Sequence, residues 1–146
     1  MTAHVRKATA RLLAACLGAL LVLTAAGAQP GEVAVELNRL DNRDNGNCRA
    51  YMVFENGSDQ HFSVFQLDLV LFDGDGIIEQ RLAVEAGPLD AGKTVVKLFD
   101  IEGLGCDRIG RILLNAVIEC RTENGPAEGC TRRTRVSART ETPFFK

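Results

Sequence analysis

The sequence contains no tryptophan, one tyrosine and two histidines, His4 and His61. It has no Cys-x-x-Cys pair, no Gly-x-Ser-x-Gly elbow, no glycine-rich phosphate loop, no internal repeat and no low-complexity tract. Each absence removes a class of function. Sugar-binding clefts stack aromatic rings on the sugar, and this chain has few to offer. A thioredoxin-like redox centre needs closely spaced cysteines. His61 is the only histidine after residue 28, so a Ser-His-Asp or Cys-His centre would have to use it. It sits beside a turn and reads as an exposed loop histidine. The catalytic residue set is therefore empty, and the reading is of a protein that is not an enzyme.

Acidic residues are missing from the first 28 positions. Arg6, Lys7 and Arg11 form a positive segment, Leu12 to Thr24 is apolar, and Ala26-Gly27-Ala28 is a small-residue cleavage site. These are the three parts of a secretory signal peptide, residues 1–28, cut between Ala28 and Gln29. A membrane anchor needs about 20 apolar residues. The run 12–28 is shorter and is diluted by Gly18, Thr24 and Gly27, so no stable anchor is expected after cleavage. Leu13-Ala14-Ala15-Cys16 spells a lipobox, but most of the apolar run follows Cys16, where a lipobox would end it. Arg6-Lys7 is not a twin-arginine pair, which favours general export. The expected location is periplasmic or secreted, an oxidising compartment.

Beyond residue 28 the chain has 14 basic and 19 acidic groups, a charge of −5. The balance is uneven: residues 29–120 carry −8 and residues 121–146 carry +3. An acidic body repels phosphate backbones, which excludes nucleic acid as a partner class. The basic C-terminal segment reads as a solvated edge strand whose charge prevents edge pairing, with an anionic lipid or an acidic partner as the alternative.

Alternation of apolar and polar residues marks the strands. Val33, Val35 and Leu37 form one face of the first strand, and Cys48, Ala50, Met52 and Phe54 one face of the second. Phe62 to Phe72 is the strongest, with Phe65, Leu67, Leu69 and Leu71 on one face and the mixed set Val64, Gln66, Asp68, Val70 and Phe72 on the other. Asp73-Gly74-Asp75-Gly76 predicts a hairpin turn leading to a strand over 77–84. A loop over 85–92 leads to a strand over 94–99. Residues 111–120 suit a short helix or a strand; β-branching favours the strand. Residues 130–139 close the domain and 141–146 form a tail. The expected fold is all-β: an antiparallel immunoglobulin-like sandwich of about seven strands over residues 29–140.

Leu69-Val70-Leu71-Phe72-Asp73, then Asp75-Gly76 and Ala91-Gly92-Lys93-Thr94 before a strand ending at Phe99, resembles the FxLYD-type immunoglobulin-like domains of exported bacterial proteins over residues 50–100. Leu69 stands where that motif has its first aromatic, and Phe72 where it has tyrosine. The whole chain also resembles short exported alphaproteobacterial proteins of no assigned activity. Neither resemblance implies catalytic residues.

Cys48, Cys106, Cys120 and Cys130 are an even set in an exported domain, so disulfides are expected rather than zinc, whose sites favour closely paired cysteines. In a sandwich, Cys48 and Cys106 fall at one end and Cys120 and Cys130 at the other, which favours Cys48–Cys106 with Cys120–Cys130. The alternative, Cys48–Cys120, would mimic the inter-sheet bridge of antibody domains. No metal set is expected. In the turn 41–47, Arg43 occupies a calcium-ligand position and Met52 stands where an EF-hand needs glutamate. Asp73 and Asp75 are explained by their hairpin. Asn56-Gly57-Ser58 is a glycosylation sequon of consequence only in a eukaryotic secretory route. With no cofactor expected, the reading is a binding or accessory module for a protein or envelope partner. The alternative is a small periplasmic enzyme using dispersed carboxylates.

Overall fold

The structure is a computed structural model and describes residues 31–146. The signal segment 1–28, the Ala28–Gln29 cleavage point and Cys16 lie outside the described residues. The chain forms β1 (Val33–Asn42), β2 (Cys48–Asn56), β3 (Phe62–Phe72), β4 (Ile78–Glu85), β5 (Thr94–Ile101), a 3-10 turn (Cys106–Arg108), β6 (Arg111–Thr122), β7 (Gly125–Pro126), β8 (Thr134–Ala138) and β9 (Phe144–Phe145). One sheet runs β5-β2-β1-β8. The other runs β4-β3-β6-β7, with β9 also on β6.

Side-chain alternation explains the layering. Val35, Leu37, Met52 and Phe54 of the first sheet are almost completely buried, as are Phe65, Leu67, Leu71 and Leu114 of the second. Together they make the core of an all-β sandwich. Phe62 packs edge-on to Phe65, with ring centres 5.4 Å apart. The segment 111–120 is a strand. Its pairing with β3 skips Asn115 and Ile118, two bulges that break the strict alternation a strand would otherwise show. In the β3–β4 hairpin, Asp73 Oδ1 accepts from the backbone N–H groups of Asp75 and Ile77 at 3.0 and 2.8 Å. Gly76 supplies the positive φ that the turn requires (+85°). Gly110 passes so close to this turn that a Cβ would collide with the Asp73 carbonyl oxygen.

Three features correct the sequence reading. Pairing is not antiparallel throughout: β8 lies parallel to β1 and β9 parallel to β6. After β7 the chain crosses to the first sheet, and after β8 it crosses back; such crossings, unlike hairpins, permit parallel neighbours. The expected closing strand over 130–139 is reduced to β8, because residues 130–133 form the crossing turn, held by Thr134 Oγ1 donating to the Cys130 carbonyl at 2.8 Å. The residues 141–146 are not a tail. Phe144 is buried opposite Ile112, and Phe145 turns to the outer face.

Two disulfides hold the connections. Cys48, the first residue of β2, joins Cys106 in the 3-10 turn, with Cα atoms 4.7 Å apart. Cys120 of β6 joins Cys130 before β8, with Cα atoms 6.7 Å apart. This is the pairing favoured by the strand ends, and Cys48–Cys120 is not formed. Cross-links of this kind fit an oxidising, exported environment.

Candidate binding surfaces

The outer face of the first sheet is built from cross-strand rows. Val96 of β5 lies opposite Val53, which lies opposite Glu36 of β1. Leu98 lies opposite Tyr51, which lies opposite Arg39. A bulge at Asn38 brings Arg39 to this face, where its guanidinium sits 5.3 Å above the Tyr51 ring. Asp100 takes a two-pronged ion pair from Arg49 at 2.6 and 2.8 Å, which holds its carboxyl below the usual range. The result is an apolar strip, Val53, Tyr51, Val96 and Leu98, ended by charge. Val96 is 58% exposed and Leu98 49% exposed.

This strip borders an open strand edge. β5 pairs with β2 through eight consecutive residues without a bulge, and among the described residues it has no neighbour on its other side. Its inward residues Val95 and Phe99 are also only partly buried. Lys97, on the same face, donates to the Gly87 carbonyl at 3.3 Å. An edge of this kind carries unpaired backbone donors and acceptors, flanked on both faces by apolar side chains. The sequence signal was present in Val95-Val96-Lys97-Leu98-Phe99, apolar on both faces as a central strand would be. Only the strand order shows that it is an edge.

The other polar clusters serve the fold. Asp68, 3% exposed on the outer face of β3, accepts two hydrogen bonds from Arg81 at 2.7 and 2.8 Å and one from Asn115 at 2.6 Å. Arg81 first and then Asn115 hold its carboxyl below the usual range. It is a satisfied charge on a mixed face. His61 Nδ1 meets Asp90 Oδ1 at 2.9 Å, and Lys93 reaches the other oxygen of the same carboxylate at 3.1 Å. Among the described residues His61 has no bond to a serine or cysteine. Asn42 and Asn47 of the polar turn 41–47 accept from the backbone N–H groups of Cys106 and Gly103 at 2.8 and 2.9 Å, so they pin the connection beside the first disulfide. Asn56 of the sequon is 1% exposed and donates to the carbonyls of Gln60 and Leu89, which makes it an internal pin of the loop. Among the described residues no group of three His, Cys, Asp or Glu side chains is placed to hold a metal ion, and no helix is long and apolar enough to cross a membrane.

The sequence matches no protein-family model and no curated protein. The fold is similar to that of a solved structure described as the structural characterization of IrmA from Escherichia coli. The TM-score is 0.54 at 13% identity, over 77% of this chain and 94% of that one. At that identity the likeness concerns the fold alone.

Proposed function

We propose that this protein is an exported binding or accessory module, not an enzyme, and that it engages a protein or envelope partner by adding a strand of that partner to the β5 edge. The carrying observation is the open edge itself: eight regular residues beside the exposed Val96 and Leu98. Main-chain bonding along such an edge supplies affinity, and alternate side chains supply selectivity. The disulfides and the signal-like N-terminal sequence support export to the periplasm or the medium, with a mature N-terminus at Gln29. The rival, an enzyme with dispersed carboxylates, gains little from Asp68, a deeply buried carboxylate fully engaged by Arg81 and Asn115.

The test is site-specific photo-crosslinking from position 96 in the mature protein, in its own envelope fraction, with position 124 as control. A single partner cross-linked from 96 and lost in Leu98→Lys supports the reading. Equal cross-linking from both positions, or from neither, rejects it. Intact-mass measurement of exported protein tests the cleavage point.

A further inference from the structure

Arginine pairing in this protein is unequal. Eight of the eleven described arginines have a carboxylate within 4 Å. The three without one are Arg111, Arg132 and Arg133, and they lie around β9 and in the turn before β8. The acidic body has thus neutralised its guanidiniums everywhere except along one side of the sandwich, opposite the β5 edge in strand order.

That side holds a cleft of about 400 Å³ between β8 and β9. Arg132, Arg135 and Lys146 supply positive charge, and Val136, Phe144 and Phe145 supply apolar wall. Lys146 is spent on structure, its ammonium donating to the carbonyls of Thr131, Arg132 and Thr134. Arg132 is exposed, with its donors uncommitted to any carboxylate. Arg111 extends the positive row past the rim, stacked 4.9 Å from the Phe72 ring and 5.9 Å from Phe145. Stacking fixes the plane of a guanidinium while leaving its edge N–H groups free to meet a carboxylate. The cleft also contains Glu32, whose Oε2 is buried without a hydrogen-bond donor and lies 3.8 Å from Arg135.

We propose that this cleft is a second binding site, one that takes a short acidic peptide segment in extended conformation. Carboxylates of the segment meet Arg132 and Arg111, and an apolar side chain between them covers Phe145. The apolar wall of Val136, Phe144 and Phe145 selects a peptide side chain over a bare phosphate, which has no apolar group to lay against it. The concave shape between two strands likewise suits an extended chain better than a flat bilayer. The site stands apart from the β5 edge and does not depend on it.

The test uses the mature, disulfide-bonded protein and an eight-residue fluorescent peptide of alternating glutamate and phenylalanine, read by anisotropy. Saturable binding is expected, weakening as salt is raised. Arg132→Glu is expected to weaken it about tenfold, the scale of one charge-assisted hydrogen bond. Arg111→Gln should weaken it several-fold, and the paired Arg121→Gln should leave it unchanged. Leu98→Lys should also leave it unchanged, which separates this site from the β5 edge. Melting curves of the arginine variants, all altered at exposed positions, should match the parent. The proposal is overturned if a glutamine-for-glutamate peptide binds equally or if Arg132→Glu binds as the parent does. It is also overturned if anionic phosphatidylglycerol vesicles bind while the peptide does not, or if sedimentation shows a second copy occupying the cleft.

Discussion

The two sides of the sandwich are finished in opposite ways. On the β4–β5 side, the first sheet ends in a long regular strand whose apolar residues remain half in water. On the β8–β9 side, both sheets end in short strands, reached by chain crossings and surrounded by arginine and lysine. Charge and shortness are common protections for a strand edge. One side has them and the other mostly does without. The comparison teaches that the exposed apolar strip at Val96 and Leu98 is local, since the same chain guards its opposite border. Lys97 is the one charge among residues 94–99 of β5.

Neither side carries the stability, which gives the first means of sharpening the contrast. Phe65→Ala, in the centre of the core, should cost about 3–5 kcal/mol in a denaturant titration. That is a large part of the roughly 5–15 kcal/mol typical of a domain. An effect below about 1 kcal/mol would mean that the core is not organised around β3. Next come the cross-links. By chain entropy, the Cys48–Cys106 bridge should contribute about 4 kcal/mol and the Cys120–Cys130 bridge about 3 kcal/mol. Paired Cys→Ala variants melted side by side test the order. If the shorter bridge proves the more important, the crossing to β8 holds the fold more firmly than the β2–β5 end does.

Asp68 gives a pH test. Its carboxyl is held low in the folded protein by Arg81 and Asn115, against 3.8 for the free side chain. The folded state therefore binds that proton less readily than the unfolded chain does. The resulting stability is complete above the free value and is lost as pH falls through the folded one. Asp68→Asn should lower stability at neutral pH and flatten part of the decline that sets in as pH falls below the free value of 3.8, followed by melting temperature. An unchanged acid limb would assign it to the exposed pairs. The smallest stability effect belongs to the open edge: Leu98→Lys should change stability by less than about 0.5 kcal/mol while abolishing partner cross-linking from position 96. Loss of both together would mean that the strip serves the fold.

Much of the sandwich was legible because burial on one face imposes a period of two. Phe62 to Phe72 is a strand from end to end, and the asparagine–glycine and aspartate–glycine turns punctuate the chain where the strands stop. What misled was equally physical. Phe144-Phe145 is too short to show a period, so it reads as part of a tail although one of its rings belongs to the core. The bulges at Asn115 and Ile118 blur the alternation that would have set β6 apart from a helix. His61 and the acidic turns invited chemical readings from composition, yet their side chains are occupied by Asp90, by backbone N–H groups and by the 3-10 turn.

The sequence by itself determined the all-β class, an even set of four cysteines after residue 28 suited to cross-linking, and the uneven charge between body and C-terminal segment. These depend on residue type and local spacing, which a linear chain displays. Only the tertiary structure decided which strands became edges, which carboxylates found which guanidiniums, and that β8 and β9 run parallel to their neighbours. These follow from how distant segments cross between the two sheets. Val96 and Arg132 have unremarkable neighbours in sequence; they stand out because strand order leaves one without a covering strand and the other without a carboxylate.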